Sequence, residues 1–394
     1  MVGEEVPTEI QTARAVGTKF FGPHRTVFVV NNDRSFLSHR ATWAAAIKAS
    51  GSRVWVLCQD TGRMDEIRRL GFTPVSVPFG REDLSVRGAL VSVFTCLFWM
   101  LRIRPQLAFL SATAAYTLAW PGAVLVGAKV VRVVPGVGLA LARTNSFAST
   151  VVRFSLRVSK MPRNVFSLFQ VPDHADYFAG NKLAHPARSW VIGGAGVDTT
   201  DWRPGGEIRT EGAPLRVLLA ARLYREKGVL EFVEVAKRLK GSGFEFLLAG
   251  MLDAGVTTSI SEEDLNSWIR AGLISYLGEV KDMRPVFHSA DIFMLPTTHP
   301  EGTPRVVIEA SACGLPTLVS DQPGCRLTVL DGESGYVLDP ADIESWCRAL
   351  VRYRDDRALL ARHGEAARDL AVREFSLEHT LERIANACGM AERR

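Results

Sequence analysis

Short runs of β-branched and aliphatic residues alternate with helix-patterned segments along almost the whole chain, and the alternation occurs twice. In the first half the runs are Thr26–Asn31, Arg53–Gln59, Pro74–Pro78, Gln106–Ser111, Lys129–Val134, Asn164–Phe169 and Ser189–Gly193. Helical patterns such as Ser35–Ser50 and Val86–Arg102 lie between them. The runs lack the apolar–polar alternation of half-exposed strands. They read as strands buried on both faces by crossover helices, which is the pattern of a doubly wound parallel sheet. The segment RPGGEIRTEGAP (Arg203–Pro214) then breaks the pattern with Gly, Pro and charge. A second alternation follows, with strands near Leu215–Ala221, Phe244–Gly250, Leu273–Leu277, Asp291–Pro296 and Pro316–Ser320.

The expected organisation is α/β, with two tandem Rossmann-like doubly wound domains. A polar leader covers 1–24, the first domain 25–203, a linker 204–214 and the second domain 215–375. A C-terminal helix over 376–394 packs on either domain. The length of 394 residues supports two domains, since single cores stop growing near about 250–300 residues. A hydrophobic fraction of 47% excludes a disordered or collagen-like chain.

The six cysteines are scattered, without a C-x-x-C pair or metal-ligand spacing, as in a reduced, cytosolic chain. The first residues carry Glu4, Glu5 and Glu9 and lack the apolar core of a secretory signal. The longest apolar run, Ala89–Leu101, is shorter than the roughly 20 residues of a spanning helix.

Charge divides the chain. Residues 1–205 hold 24 Lys and Arg against 13 Asp and Glu; residues 206–394 hold 23 against 29. Leu84–Pro172 contains no acid and ten cations: Arg87, Arg102, Arg104, Lys129, Arg132, Arg143, Arg153, Arg157, Lys160 and Arg163. Such a field attracts anionic partners. Arg153, Arg157 and Lys160 recur at helical spacing, with Phe147, Val151, Phe154 and Val158 on another face. A basic amphipathic helix of this kind favours an anionic membrane surface. An ordinary core helix with a solvated face gives the same pattern. Nucleic acid is disfavoured, because aromatics do not interleave with the cations in a recognisable binding motif.

Ligands of open α/β sheets sit at the carboxyl ends of strands, against helix N-termini. Arg222 and Lys227 occupy the strand-to-helix loop after Leu215–Ala221, where an Arg fork and a Lys point charge suit a diphosphate. The more specific signal is PEGTPRVVIEASACGLP (Pro300–Pro316). A strand ends at Pro296, a helix begins near Pro304, and Gly314 and Pro316 end it. Glu301 precedes that helix and Glu309 follows eight residues later, about 12 Å of helical rise and about 80° of rotation on. That is too far apart for an acid/base pair on one bond. It suits two ends of an extended ligand whose phosphates meet the segment Gly302, Thr303, Pro304, Arg305 and Val306, through the amides of all but Pro304. Alone, either glutamate reads equally as a helix-dipole partner or an exposed helix residue.

Residues 215–375 resemble the donor-binding domain of retaining glycosyltransferase family 4, which has the GT-B fold. The resemblance rests on Ala221-Arg222 with Lys227-Gly228, Gly250, Leu277-Gly278, Ala290-Asp291, Leu295-Pro296, and Glu301–Glu309 with Ala310, Ala312, Gly314 and Pro316. Gly324, Asp331-Gly332 and Gly335 continue it. In the first half, Ser35–Arg40, Gly136-Val137-Gly138 and Phe169-Gln170 resemble a subgroup acting on polyprenyl-diphosphate-linked sugars in bacterial surface-glycan assembly. Pro135-Gly136 stands where many relatives carry a His, and Asn31-Asn32-Asp33-Arg34 replaces a Gly-rich loop.

This resemblance implies an N-terminal acceptor-binding domain and a C-terminal nucleotide-sugar donor-binding domain with a cleft between them. Residues matching Arg222 and Lys227 bind the diphosphate, Glu301 contacts the transferred sugar and Glu309 binds the ribose. Gly250 and the loop at Val280 border the nucleotide, whose base is uridine. His39, Arg40, Gly136 and Gly138 fall on the acceptor side. No D-x-D occurs, so no metal or other cofactor is expected. The implied function is retaining hexosyl transfer onto a glycan or polyprenyl-diphosphate-linked acceptor in cell-surface polysaccharide biosynthesis. The implied place is the cytoplasmic, inner face of the plasma membrane.

Two alternatives stand beside it. A nicotinamide-dependent oxidoreductase would use Gly136-Val137-Gly138 or Gly194-Ala195-Gly196. However, Leu141 and Thr199 occupy the third glycine position, and no matching acid follows about 20 residues on. A non-catalytic membrane- or nucleotide-binding module would leave the Arg222, Lys227, Glu301 and Glu309 set without purpose.

Overall fold

The computed structural model describes residues 7–79, 86–136, 147–205, 212–253 and 258–389. Gly138, Arg143 and residues 206–211 of the expected linker lie outside them. The chain divides into two compact units, residues 1–196 with 377–394, and residues 197–376.

The first unit holds strands β1 (Arg25–Asn32), β2 (Arg53–Gln59), β3 (Thr73–Ser76), β4 (Leu107–Ser111), β5 (Lys129–Val134), β6 (Val165–Phe169) and β7 (Ser189–Val191). Its helices are α1 (Thr8–Gly17), α2 (Asp33–His39), α3 (Ala41–Ala49), α4 (Met64–Arg69), α5 (Val86–Ile103), α6 (Thr113–Leu118), α7 (Trp120–Leu125), α8 (Phe147–Ser159) and α9 (Pro172–Gly180). The strands form one parallel sheet in the order β3-β2-β1-β4-β5-β6-β7.

Successive side chains of β1 point to opposite faces. Phe28 and Val30 enter one core with Trp43, Phe109 and α1; Val27 and Val29 enter the other with α5, α6 and α8. Phe28 pairs with Phe109 across the β1–β4 ladder, and their rings stack at 4.8 Å.

Two expectations change here. The first is the polar leader: residues 8–17 form α1, whose Ile10 and Ala13 are buried. A side chain at Gly17 would run into the Ala46 backbone, so this glycine lets α1 lie directly on α3. The second is the single helix over Ser35–Ser50, which is two. Arg40 takes φ −128° between them, and its guanidinium turns inward onto Ser111 Oγ (3.1 Å) and the His39 carbonyl (2.9 Å).

The second unit holds β8 (Leu215–Ala220), β9 (Phe244–Ala249), β10 (Ser275–Gly278), β11 (Ile292–Leu295), β12 (Thr317–Ser320) and β13 (Gly335–Leu338), parallel in the order β10-β9-β8-β11-β12-β13. Its helices are α10 (Val229–Arg238), α11 (Glu262–Arg270), α12 (Arg284–Ser289), α13 (Arg305–Ala312), α14 (Pro323–Arg326), α15 (Ile343–Asp355) and α16 (Arg357–Phe375). A single core joins β8, β9, β11 and β12 to Phe232, Phe287, Trp346 and Tyr353.

The second unit begins earlier than the expected boundary. Arg368 donates to the carbonyls of Thr199 (2.7 Å), Trp202 (2.7 Å) and Ala312 (2.8 Å), and Arg284 pairs with Asp201 at 2.5 Å. Residues 197–203 are thereby tied into it. The last helix, α17 (Leu377–Ala387), belongs to the first unit, where Leu377, Leu381 and Ile384 join the Trp43 core.

Candidate active site

The site is built at the carboxyl ends of β8 and β11. After β8 the chain passes Ala221 and Arg222, makes a 3-10 turn over Arg225–Lys227, and enters α10 through Gly228. Gly228 has φ +80°, and a side chain there would strike the Pro296 carbonyl at the end of β11. A residue without Cβ is required at this crossing. The Glu226 carbonyl accepts the amides of Thr298 (3.0 Å) and His299 (3.1 Å) and the hydroxyl of Thr297 (2.9 Å), so the two loops are stitched together.

Within that stitch, Lys227 Nζ forms an ion pair with Glu301 Oε1. Thr297 Oγ1 donates to the same oxygen at 3.1 Å. The side chains of Lys227 and Glu301 are 19% and 12% exposed, so the pair is largely withdrawn from water yet reachable. Gly324 lies against the carbonyls of Glu301 and Gly302, where any side chain would collide. Below it, burial and then the Glu301 charge push the Cys325 thiol well up.

Helix α13 starts at Arg305, with Pro304 as its N-cap and no side chain capping it. Within its first turn the Val307 amide already bonds the Pro304 carbonyl at 3.1 Å; a helix start that follows a strand end is the place where anions bind in open α/β sheets. Glu301 stands outside the helix, so the eight-residue helical geometry expected between Glu301 and Glu309 applies only from Arg305 onward. Arg305 and Glu309, one turn apart, pair at 2.8 Å. The two acids each hold a different cation, Glu301 with Lys227 and Glu309 with Arg305.

A cavity of about 340 Å³ opens beside this pair, at the ends of β8 and β9. Its walls include Arg222, Gly250, Val280 and Val306 among the expected residues, and Met251, Glu279 and Met283 in addition. Its size is that of a small-ligand pocket. Gly250 has φ +146°, and a Cβ there would meet the Ala221 carbonyl. Arg222 lies 4.8 Å over the Tyr224 ring, whose hydroxyl donates to Asp253 Oδ2 at 2.9 Å. Burial, followed by that bond to Asp253, raises the Tyr224 pKa. The structure thus places Arg222, Gly250, Val280 and Val306 on one cavity, and Lys227, Thr297 and Glu301 on the adjoining stitch. Among the described residues no group of three or more His, Cys, Asp and Glu side chains gathers as a metal centre.

Of the expected acceptor-side residues, Gly138 lies outside the described residues, and His39, Arg40 and Gly136 belong to the first unit. Arg40 is buried, stacked 4.3 Å from the Trp43 ring, and burial lowers its pKa to about 10. His39 is exposed on the end of α2. A methyl group built on Gly136 would come within 3.9 Å of the His174 ring. His174, on the first turn of α9, is buried, and burial lowers its pKa. The sequence reading did not single it out; its signal was its position in the turn that follows Phe169-Gln170 and β6. A cavity of about 400 Å³ in the first unit faces the opposite, amino ends of the strands. Its Lys19 and Lys129 are already engaged by Glu378 and the Cys388 carbonyl.

Two Rossmann-like parallel sheets, the second with a cavity at the carboxyl ends of its strands, define a protein of the GT-B fold class. The HepE protein of Anabaena, crystallised with UDP, superposes with a TM-score of 0.77 at 14% identity, covering 93% of this chain and 99% of that one. Residues 214–356 match the family model for glycosyl transferases group 1, and this stretch is a glycosyltransferase group 1 domain.

Among curated relatives, the amylovoran biosynthesis glycosyltransferase AmsK of Erwinia amylovora is 30% identical over 188 residues, 44% of this chain and 46% of AmsK. The N,N'-diacetylbacillosaminyl-diphospho-undecaprenol alpha-1,3-N-acetylgalactosaminyltransferase of Campylobacter jejuni is 42% identical over 119 residues, 30% of each chain. The chain spans less than half the length of either curated relative.

Proposed function

We propose that the chain is a retaining glycosyltransferase of the hexosyl type. It moves a sugar from a UDP-linked donor onto a glycan or polyprenyl-diphosphate-linked acceptor in cell-surface polysaccharide biosynthesis. The observation that carries this reading is the Lys227–Glu301 pair, held by Thr297 at the start of α13 and beside the cavity walled by Arg222. The names of AmsK and the Campylobacter jejuni enzyme support the class of reaction, and the HepE–UDP complex supports the nucleotide.

In this reading the nucleoside enters the cavity beside Gly250, Glu279 and Val280, and Glu309 accepts a ribose hydroxyl. The diphosphate lies across the amides at the start of α13, with Arg222 and Lys227 neutralising it. Glu301 accepts a hydroxyl of the sugar. As the bond from the anomeric carbon to the diphosphate oxygen breaks, negative charge grows on that oxygen where Arg222, Lys227 and the helix start already point. Preorganised charge of this kind is the main catalytic term, and it does the work a divalent ion does in metal-dependent relatives. The acceptor oxygen bonds to the same face of the anomeric carbon. Its proton passes to the departing phosphate, and UDP leaves.

The acid-free basic stretch of the first unit supports a peripheral post at the inner, anionic face of the plasma membrane, where a lipid-linked acceptor lies. No helix of the described residues is long and apolar enough to cross a membrane.

The test is a screen of nucleotide sugars for thermal stabilisation, followed by transfer assays with the sugar that stabilises. Stabilisation by UDP and one UDP-sugar, lost in Arg222→Ala, is the expected result. A chain stabilised by NADH and by no nucleoside diphosphate would overturn the reading.

A further inference from the structure

Helix α5 is anchored on one side and unpartnered on the other. Ser92, Cys96, Met100 and Ile103 recur every three or four residues and are buried, with Ser92 Oγ donating to the Pro78 carbonyl at 2.6 Å. Gly122 on α7 packs against Leu97 and Met100. Each two positions away from a member of that stripe come Leu90, Phe94, Phe98 and Leu101. Two residues are about 200° of helix rotation, so this second stripe looks away from the core. Its exposure is 52% at Leu90, 65% at Phe94, 58% at Phe98 and 48% at Leu101.

Neighbouring helices of the same sheet face add to it. Leu125 on α7 and Phe154 on α8 are also largely exposed, although α7 and α8 join the same core as α5 through Ala123, Val152 and Leu156. Phe154 and Val151 had been expected to form an apolar face beside the Arg153 stripe. The structure buries Val152 and Leu156 instead and leaves Phe154 outward. The Arg153 guanidinium donates to the Tyr177 hydroxyl at 2.9 Å, which holds it against α9.

Exposed apolar area concentrated on one face marks a contact surface. Its surroundings select the partner. Arg102, Arg104, Arg157 and Arg163 are exposed, and the 89 residues that carry this face contain no Asp or Glu. A second copy of the chain would set the same cations against one another across a twofold axis, and the stretch that carries them, Leu84–Pro172, has no acid of its own to neutralise them. An anionic lipid leaflet offers both halves of the complement: hydrocarbon for the phenylalanines and phosphates for the arginines.

We infer that α5 is a membrane-docking helix that lies in the interface of an anionic bilayer, inserting Phe94 and Phe98 between headgroups with Arg102, Arg104 and Arg157 at phosphate level. The inference rests on the proposed use of a lipid-linked acceptor for its purpose, but not for its geometry. It centres the docking surface on α5, with Arg157 the contribution of the α8 stripe.

The experiment is co-sedimentation of the full chain with vesicles of phosphatidylglycerol and phosphatidylethanolamine, compared with phosphatidylcholine alone. Thermal stabilisation by UDP is read on every variant. The wild-type chain pellets with the anionic vesicles at low salt, and pelleting weakens as salt rises. Phe94→Ser with Phe98→Ser lowers the partition coefficient by about tenfold or more. Arg102→Gln with Arg157→Gln flattens the salt dependence. All variants keep the UDP shift of the wild type, because these side chains are exposed and lie in the first unit.

A wild-type chain that stays in the supernatant, or a double phenylalanine variant that pellets undiminished, overturns the inference. So does a wild-type dimer that the phenylalanine variant dissociates without any vesicle binding, or one that persists on a different surface while vesicles are ignored. Loss of the UDP shift with vesicle binding intact sinks only the donor reading.

Discussion

Lys227 and Glu301, 74 positions apart, form an ion pair that joins the loop after β8 to the loop after β11. Thr297 steadies the carboxylate, and the Glu226 carbonyl binds both loops to one another. The pair is therefore a fixed feature of the sheet's carboxyl edge rather than a surface contact between two long side chains.

Breaking the pair from either end separates its two roles. Glu301→Gln and Lys227→Met each lower transfer by about a hundredfold or more, the scale of losing one preorganised group at a transition state. Each also costs about 1–3 kcal/mol of stability, because its partner is left with little water. Lys227→Met combined with Glu301→Gln recovers part of the stability and none of the turnover. Urea midpoints alongside transfer rates measure both, and wild-type turnover in Glu301→Gln would remove the proposed sugar contact.

Gly228→Ala tests the crossing of the same two loops. Its φ of +80° costs an alanine about 1–2 kcal/mol, and the Pro296 carbonyl adds a direct clash. A loss of at least about 2 kcal/mol in urea unfolding is expected, together with a weakened UDP-induced thermal shift. Gly180→Ala is the matched control. No atom lies within 4 Å of a Cβ at that site and its φ is ordinary, so stability there stays level or rises slightly.

Acidification acts on His363 and Asp33 in different ranges. Burial, then the Arg362 charge, holds the His363 pKa below the usual 6.5, and its Nδ1 lies 2.8 Å from the Tyr353 hydroxyl in the second core. The unfolded chain binds this proton more readily, so the contribution is complete above about pH 6.5 and is lost as pH falls below it. For Asp33, burial alone would raise the carboxyl. The Thr61 hydroxyl and the amides of Thr61, Arg63 and Arg34 outweigh it and carry the pKa below the usual 3.8. Its contribution is present above about pH 3.9 and is lost only further down. His363→Gln should flatten the urea midpoint between about pH 6.5 and 5, and Asp33→Asn should flatten it below about pH 4. A midpoint whose slope in the upper range is unaltered by His363→Gln would contradict the first assignment.

The strands were legible because unbroken apolar runs announce burial on both faces. Lys129–Val134 and Arg53–Gln59 match to the residue. What escaped was set by contacts distant in sequence. The break between α2 and α3 depends on Ser111 receiving the Arg40 guanidinium, 71 residues away. Helix α1 depends on Gly17 meeting Ala46, and the early start of the second unit depends on Arg368 reaching back to Thr199 and Trp202. Strand β13 is four residues behind the Asp331-Gly332 turn, too short to show a period. In the site, the types and spacing of Arg222, Lys227, Glu301 and Glu309 could be read directly. The Lys227–Glu301 pairing could not, since it forms only once two separate loops are folded together, whereas Arg305 and Glu309 stand one turn apart on α13.

Arg222 gives the most selective test of where the phosphates lie. It borders the cavity while its guanidinium rests 4.8 Å over the Tyr224 ring, and among the described residues it forms no ion pair with an acid. A charge-assisted bond contributes about 1.5–3 kcal/mol, so Arg222→Ala should weaken UDP by about ten- to a hundredfold. Uridine, which carries no phosphate, should bind both forms equally if the base sits at Gly250 and Val280. Arg222→Lys retains the charge but loses the planar fork, and should fall between them. Titration calorimetry with UDP, UMP and uridine on the three proteins separates the cases. Equal losses for UDP and uridine would mean that Arg222 shapes the cavity rather than holding the diphosphate, and would return the anion to Lys227 and the start of α13 alone.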